Sequence, residues 1–308
     1  MNYYSNGKLL LTAEYLVLEG ATALALPTKY GQDLQVTPIS NHEIVWSSFD
    51  HMNQCWFEAV YSLPKLQIKS ATFISGVEGN QEMIAEVLQI ILYEAQKMNP
   101  DFLETEGGFR VKTHLSFPRN WGLGSSSTLI NNIASWANVD AYKLLKNAFK
   151  GSGYDIACAQ NDHPIFYRLE EGQPMVSKAS FRPRFADKIF FVYLNKKQNS
   201  RESINLFYDK RGNLKDEIKA INKITKAISK TSKFKKFERL VNEHEDIIAG
   251  ILELPKVKDK YFSDYPGTVK SLGGWGGDFV MVTGNEDTPT YFRNRGYKTV
   301  LSYDEMIL

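Results

Sequence analysis

The chain has 308 residues, 43% of them apolar and 13% aromatic, with 37 Lys and Arg set against 35 Asp and Glu for a net charge of +2. That balance excludes a polyelectrolyte that holds nucleic acid or anionic membrane by bulk charge. The length predicts about two domains, with a core large enough to need no covalent staple. The two cysteines, Cys55 and Cys158, form no C-x-x-C pair and the five histidines form no ligand cluster, so neither a disulfide framework nor a structural zinc site is expected. Met1 to Lys8 has neither the charged n-region nor the apolar h-region of a signal peptide. No run approaches the ~20 apolar residues of a membrane span. The expectation is a soluble, cytoplasmic protein.

In chain order, Leu9–Leu11 and Tyr15–Leu18 are short apolar runs that read as strands, punctuated by Glu19-Gly20 and Pro27. Residues 80–98 carry the strongest helical periodicity, through Ile84, Val87, Leu88, Ile91, Leu92 and Ala95, with Asn80 as N-cap and Asn99-Pro100 as the stop. Phe109, Val111, Thr113, Leu115 and Phe117 alternate with polar residues, which predicts a strand ended by Pro118. Helices are expected over Leu129–Val139 and Ala141–Phe149, broken by Gly151-Ser152-Gly153. A domain change is expected around 175–187, before the buried-strand run Ile189–Leu194. Two basic amphipathic helices fill roughly 213–250, and a glycine cluster leads into a strand from Asp278 to Val282. Strands and helices are mixed without regular βα alternation, which argues for α+β.

Four short stretches could carry chemistry. Gly122-Leu123-Gly124-Ser125-Ser126-Ser127 lies between a strand and a helix, where successive N–H groups and the helix's positive end can face one anion and the hydroxyls can face phosphate or Mg²⁺. It fits neither G-x-x-x-x-G-K-[ST] nor G-x-G-x-x-G. Gly273-Gly274-Trp275-Gly276-Gly277 precedes a strand, Asp155 follows Gly151-Ser152-Gly153, and Lys8 opens the first apolar run. Taken singly, each has a plain structural reading: a helix-capping turn, a hairpin loop, an N-cap aspartate and a lysine reaching to water.

Taken in this order, the stretches resemble the motifs of the GHMP kinase superfamily, closest to the mevalonate kinase and phosphomevalonate kinase branch. Motif one is similar to Asn6-Gly7-Lys8-Leu9-Leu10-Leu11-Thr12-Ala13-Glu14-Tyr15-Leu16-Val17-Leu18, motif two to Pro118 through Ser127, and motif three to Lys270 through Asp278. The resemblance implies a two-domain α+β fold. An N-terminal ATP-binding domain, like domain 2 of ribosomal protein S5, would cover 1–180, and a ferredoxin-like C-terminal domain 181–308. It implies ATP and Mg²⁺, with ATP held by Gly122, Leu123, Gly124, Ser125, Ser126, Ser127, Gly274, Gly276 and Gly277, and Mg²⁺ faced by Ser126. It further implies Asp155 as the general base and Lys8 as a cation that keeps Asp155 ionised and stabilises developing charge.

Four departures from the family pattern stand out. Asn6 replaces the usual Pro, Ala13 stands where many relatives have Gly, and Trp275 interrupts the third loop and could narrow the substrate pocket. Ala141–Lys150 contains no acid to serve as the second metal ligand, Asp140 being the nearest. The leading reading is a kinase of a small anionic metabolite, mevalonate or phosphomevalonate. A diphosphomevalonate decarboxylase-like or other GHMP enzyme, and a non-catalytic ATP- or metabolite-binding module of the same fold, are the alternatives. The lysines of 215–236 read as a solvated helix face, so no nucleic-acid or membrane partner is expected. A homodimer is left open.

Overall fold

In the computed structural model, residues 1–73, 81–149, 151–196, 200–210 and 212–308 are described, without the side chains of 81, 82 and 200–202. Asn80, the expected helix cap, lies outside them. From the start of the chain, β1 (Asn2–Leu10) leads through a buried turn and a 3-10 segment, Leu16–Glu19, into the long β2 (Ala23–Ile39). Strands β3 (Glu43–Phe49), β4 (Cys55–Ser62) and β5 (Ile68–Phe73) follow, then α1 (Gln81–Met98) and β6 (Gly108–His114). Helices α2 (Ser125–Ala137), α3 (Ala141–Ala148) and α4 (Tyr154–Ala159) precede β7 (Ile165–Glu170) and β8 (Gln173–Lys178). Next come β9 (Ile189–Tyr193), α5 (Ser200–Lys210), α6 (Lys215–Lys230), α7 (Phe234–Leu252) and α8 (Val257–Tyr261). The last elements are β10 (Val269–Leu272), β11 (Phe279–Thr283), α9 (Thr288–Asn294), β12 (Val300–Ser302) and α10 (Tyr303–Met306).

Two units emerge, and the chain passes between them several times. The first comprises Met1–Gly7, Tyr30–Arg119 and Leu123–Gln160. Its strands run in the order β5-β4-β3-β6-β2, with β3 and β6 parallel and the other neighbours antiparallel. Leu88, Ile91, Leu92 and Ala95 put the apolar stripe of α1 into a core shared with Trp46, Phe57, Val111, Ile133 and Leu144. Asn99 ends α1, its side-chain amide donating to the Ala137 carbonyl at 2.7 Å, and Pro100 prevents continuation.

The α2 helix is buried on most of its surface, including the polar residues Thr128, Asn131 and Asn132. Those groups are satisfied by one network. Thr128 Oγ1 donates to Gln32 Oε1 at 2.6 Å, Asn131 Nδ2 to Ser5 Oγ at 2.9 Å, and Asn132 Nδ2 to the Gln32 carbonyl at 2.9 Å. A fully satisfied buried network fixes one register of helix on sheet, so the start of α2 is rigidly placed.

The second unit comprises Lys8–Lys29, Asn120–Gly122 and Asn161–Leu308. The first half of β2 pairs with β7, which pairs with β8. A separate antiparallel sheet has the order β10-β11-β9-β12. Strands β9 and β11 are buried along their whole length, which explains their unbroken apolar runs, Ile189–Tyr193 and Phe279–Val282. The chain is therefore α+β, as the irregular mixing of strands and helices in its sequence predicts.

Some local expectations change. Tyr15–Leu18 is not a strand: Ala13 and Tyr15 adopt left-handed φ of 68° and 64°, and the chain then winds into the 3-10 segment closed by Gly20. Leu16 and Val17 are both buried, so neighbouring residues point inward, and an apolar run without alternation does not distinguish the two cases. The β6 strand stops at His114, where Ser116 takes over as hydrogen-bond partner of Gly31. Helix α2 starts at Ser125, four residues before its apolar positions begin.

Candidate active site

In the first unit, Leu123 is fully buried and Gly124 takes φ 91° as the residue preceding α2, with no side chain capping the helix. Only glycine enters that conformation without strain, and it lets the helix begin at once. The first turn of α2 thus keeps N–H groups that the helix cannot satisfy itself. The three serines then differ. Ser127 is buried and its hydroxyl donates to the Gly124 carbonyl at 3.2 Å, holding the turn closed. Ser126 is exposed and Ser125 half-buried. Neither hydroxyl has a hydrogen-bond partner among the described residues.

Asp155 belongs to the same unit. The expected N-cap role falls instead to Gly153, at φ 85°, and Asp155 is the second residue of α4. Ile156, Ala157, Cys158 and Ala159 are buried and anchor the helix, which packs against α2, while Asp155 stays half-buried. Its Oδ1 accepts from the Ile156 N–H at 3.1 Å. Burial pushes the nearby Tyr142 hydroxyl up, and the charges of Cys158, Asp140 and Asp155 add to it, so Tyr142 stays neutral beside the carboxylate. Asp140, the nearest acid to the missing metal ligand, is the N-cap of α3 and accepts from the Lys143 N–H at 2.9 Å. That structural role accounts for its presence there.

Lys8, Gly122 and the third loop lie in the second unit. Lys8 is half-buried on β1, immediately before the buried Leu9, Leu10 and Leu11. Gly122 has φ 68° and packs directly on the carboxylate of Asp278, which also touches Gly273. Asp278, at φ 52°, sits just before β11 and its N–H donates to the Lys196 carbonyl at 2.8 Å. Within the loop, the Gly277 N–H donates to the Gly274 carbonyl at 3.1 Å and the Gly276 N–H to Ser271 Oγ at 3.3 Å. The Trp275 N–H donates to the Tyr15 hydroxyl at 2.9 Å, and its indole N–H to the Pro255 carbonyl at 3.0 Å. The loop is thus a self-bonded turn whose one large side chain is tied to the segment after α7. Space over Gly276 is open.

Sequence reasoning missed a buried ionic cluster in this unit. Lys270 Nζ lies 2.5 Å from Glu14 Oε1 and 3.1 Å from Glu245 Oε1, with all three side chains almost fully buried. His244 Nε2 is 3.2 Å from Glu14 Oε2 and accepts from the Ala13 N–H at 2.9 Å. Burial alone would push the Glu245 carboxyl up. The Lys270 ammonium, with His244 and the Ser271 N–H, outweighs it and holds the group below its ordinary value. Burial likewise opposes the Lys270 charge, but Glu14 and Glu245 prevail and raise it. The one signal for the cluster is a lone Glu inside the otherwise uncharged stretch Leu9–Leu18.

A phosphate chain fits the donor set of the first unit: an uncapped helix start, a glycine at its mouth and an exposed hydroxyl. Mg²⁺ usually takes few protein oxygens beside phosphate and water, and Ser126 offers one. Among the described residues, no group of three or more His, Cys, Asp or Glu side chains is arranged to hold a metal. No described helix is long and apolar enough to cross a membrane.

No protein-family model matches the chain, and no curated protein matches it in sequence. Solved structures do match it. A mevalonate kinase of Methanococcus jannaschii superposes with a TM-score of 0.67 at 16% identity, over 97% of this chain and 96% of that one. A Streptococcus pneumoniae phosphomevalonate kinase, in complex with phosphomevalonate and AMPPNP, gives 0.64 at 16% over 96% and 95%. A Lactococcus lactis galactokinase complexed with galactose gives 0.63 at 13% over 95% and 87%. At these identities the likeness is one of architecture, and the chain has the fold of the GHMP kinases.

Proposed function

We propose that the protein is an ATP-dependent kinase of a small anionic metabolite, with mevalonate or phosphomevalonate as the leading acceptors. The observation that carries this reading is the pairing of α2 and α4: an uncapped helix start with an exposed Ser126, packed against the helix whose first turn bears Asp155. A fold shared with a mevalonate kinase, a phosphomevalonate kinase and a galactokinase supports it.

In this reading the backbone of Gly122–Ser127 binds the triphosphate of ATP, with Gly274, Gly276 and Gly277 allowing close approach. Ser126 faces Mg²⁺, which when bound offsets phosphate charge. For a hydroxyl acceptor, the oxygen attacks the γ-phosphorus, the bond to the β,γ-bridging oxygen breaks, and ADP leaves. An alcohol hydroxyl is far too weak an acid to ionise at neutral pH, and Asp155 accepts its proton as the new bond forms. Lys8 offsets the negative charge that develops. A phosphate acceptor needs less help from a base.

The test is ATP consumption with mevalonate, phosphomevalonate, galactose and homoserine in parallel, with Asp155→Asn as control. Turnover on one acceptor that collapses in the variant supports the reading. ATP binding with silence on all four favours the non-catalytic module.

A further inference from the structure

The turn inside motif one has a role that the resemblance does not assign. Three consecutive residues, Ala13, Glu14 and Tyr15, each grip a different part of the second unit. The Ala13 N–H is held by His244 on α7, Glu14 by Lys270 on β10, and the Tyr15 hydroxyl by the N–H of Trp275 at the tip of the glycine-rich loop. Ala13 and Tyr15 both hold left-handed φ, although Ala13 is fully buried and Tyr15 nearly so. Such conformations persist only where the surroundings over-determine them. The Tyr15 ring is further fixed by stacking on Phe207 at 5.6 Å, and its hydroxyl shares a hydrogen bond with Ser203.

We propose that Tyr15 is a positioning residue for the glycine-rich loop: its hydroxyl, at the end of a turn locked by the Glu14–Lys270–Glu245 cluster, sets the place of the Trp275 amide and hence of Gly274, Gly276 and Gly277. Four glycines in five positions leave a loop with many accessible conformations. Within Gly273–Gly277, the Tyr15 bond and the indole bond to Pro255 are the two hydrogen bonds among the described residues that reach beyond the loop and its flanking strand. The turn carrying Tyr15 also continues from the strand of Lys8, so one rigid segment serves two motifs. The ATP-binding consequence rests on the kinase reading; the loop-ordering consequence does not.

The experiment uses the full chain with Tyr15→Phe, which removes one oxygen and keeps the ring on Phe207. Amide hydrogen exchange over 274–277 is expected to rise about fivefold, the ratio set by one ordinary hydrogen bond, with exchange in β9, β11 and α7 unchanged. The Kd for AMPPNP is expected to rise by a similar factor. Loop exchange within twofold of wild type overturns the proposal. So does a rise spread evenly over the sheet and α7, which would make Tyr15 a general stabiliser. Trp275→Phe, which removes the indole bond to Pro255 together with part of the ring, is expected to raise exchange over the same four residues, and its failure to do so would equally count against a tethered loop. If wild type binds no AMPPNP, the kinase reading falls and the exchange result still decides the role of Tyr15.

Discussion

The carboxylate of Asp278 occupies the space that a side chain on Gly122 would need: a Cβ there would stand 2.5 Å from Cγ and 2.6 and 2.8 Å from the two oxygens. Gly122 also has φ 68°. Gly122→Ala should therefore destabilise by about 1–2 kcal/mol from backbone strain alone, with the clash adding to it. Urea unfolding of Gly122→Ala, Asp278→Ala and the double variant checks this. The double variant should be more stable than the sum of the singles requires, and strict additivity would refute the steric coupling.

Ser126 and Ser127 should separate cleanly. Ser127→Ala removes a buried hydroxyl that closes the turn on Gly124, and should cost about 1 kcal/mol in unfolding measurements. Ser126→Ala should leave the unfolding midpoint unchanged and weaken ATP-dependent turnover.

Asp155→Asn should lower kcat by roughly 10²–10⁴-fold, the usual span for loss of a general base. Stability should change little, since one charge at a helix start contributes about 0.3–1 kcal/mol. A variant with near-wild-type turnover would remove Asp155 from the mechanism.

Asp140→Ala tests a structural acid. Loss of the α3 N-cap should cost about 1 kcal/mol. The Mg²⁺ dependence of turnover should be unaltered, and a shifted Mg²⁺ requirement would return Asp140 to the metal.

Thermal stability should be flat from just above pH 4.5 to about pH 10 and fall on both sides. Glu245 is held below its ordinary value of 4.5, so its contribution is present above that value and is lost as pH falls through the depressed one. Lys270 is raised above 10.5, so its contribution is present below that value and is lost as pH rises through the raised one. Tyr15, pushed up to about 12 mainly by burial, adds to the alkaline loss above 10. Tm measured across this range checks both flanks, and charge-neutral replacement of Glu14, Glu245 and Lys270 together should flatten the acid one.

How much was legible in the sequence depended on distance along the chain. The turn before α2 is readable because its determinants are consecutive: glycines at 122 and 124, then serines at a helix start. The α1 stripe and the alternation of Phe109, Val111 and Thr113 are readable for the same reason. The plain reading of Asp155 as an N-cap fails because a glycine two residues earlier takes the cap position and leaves the carboxylate inside the first turn of α4. The Lys270–Glu14 pair joins residues 256 apart, and nothing local in either stretch announces it. Ala13 stands where the family pattern often has glycine. Its φ of 68° gives the physical reason a glycine would suit that position.

The interleaving of the two units bears on how the protein is made. The sheet segment from Lys8 to Lys29 belongs with residues beyond 160, and its closing contacts come last: Thr28 bridges to Ile307, the Lys29 ammonium reaches the Asp304 carbonyl, and the Leu308 N–H reaches the Pro27 carbonyl. On the ribosome, Tyr30–Gln160 can collapse early, while the turn after Lys8 waits for His244, Lys270 and Trp275, and residues 27–29 of β2 wait for 304–308. Contacts of such long sequence separation slow folding. The nascent chain therefore carries the turn of its first motif without its partners until residues 244–275 are made, when a chaperone holding that turn would matter most.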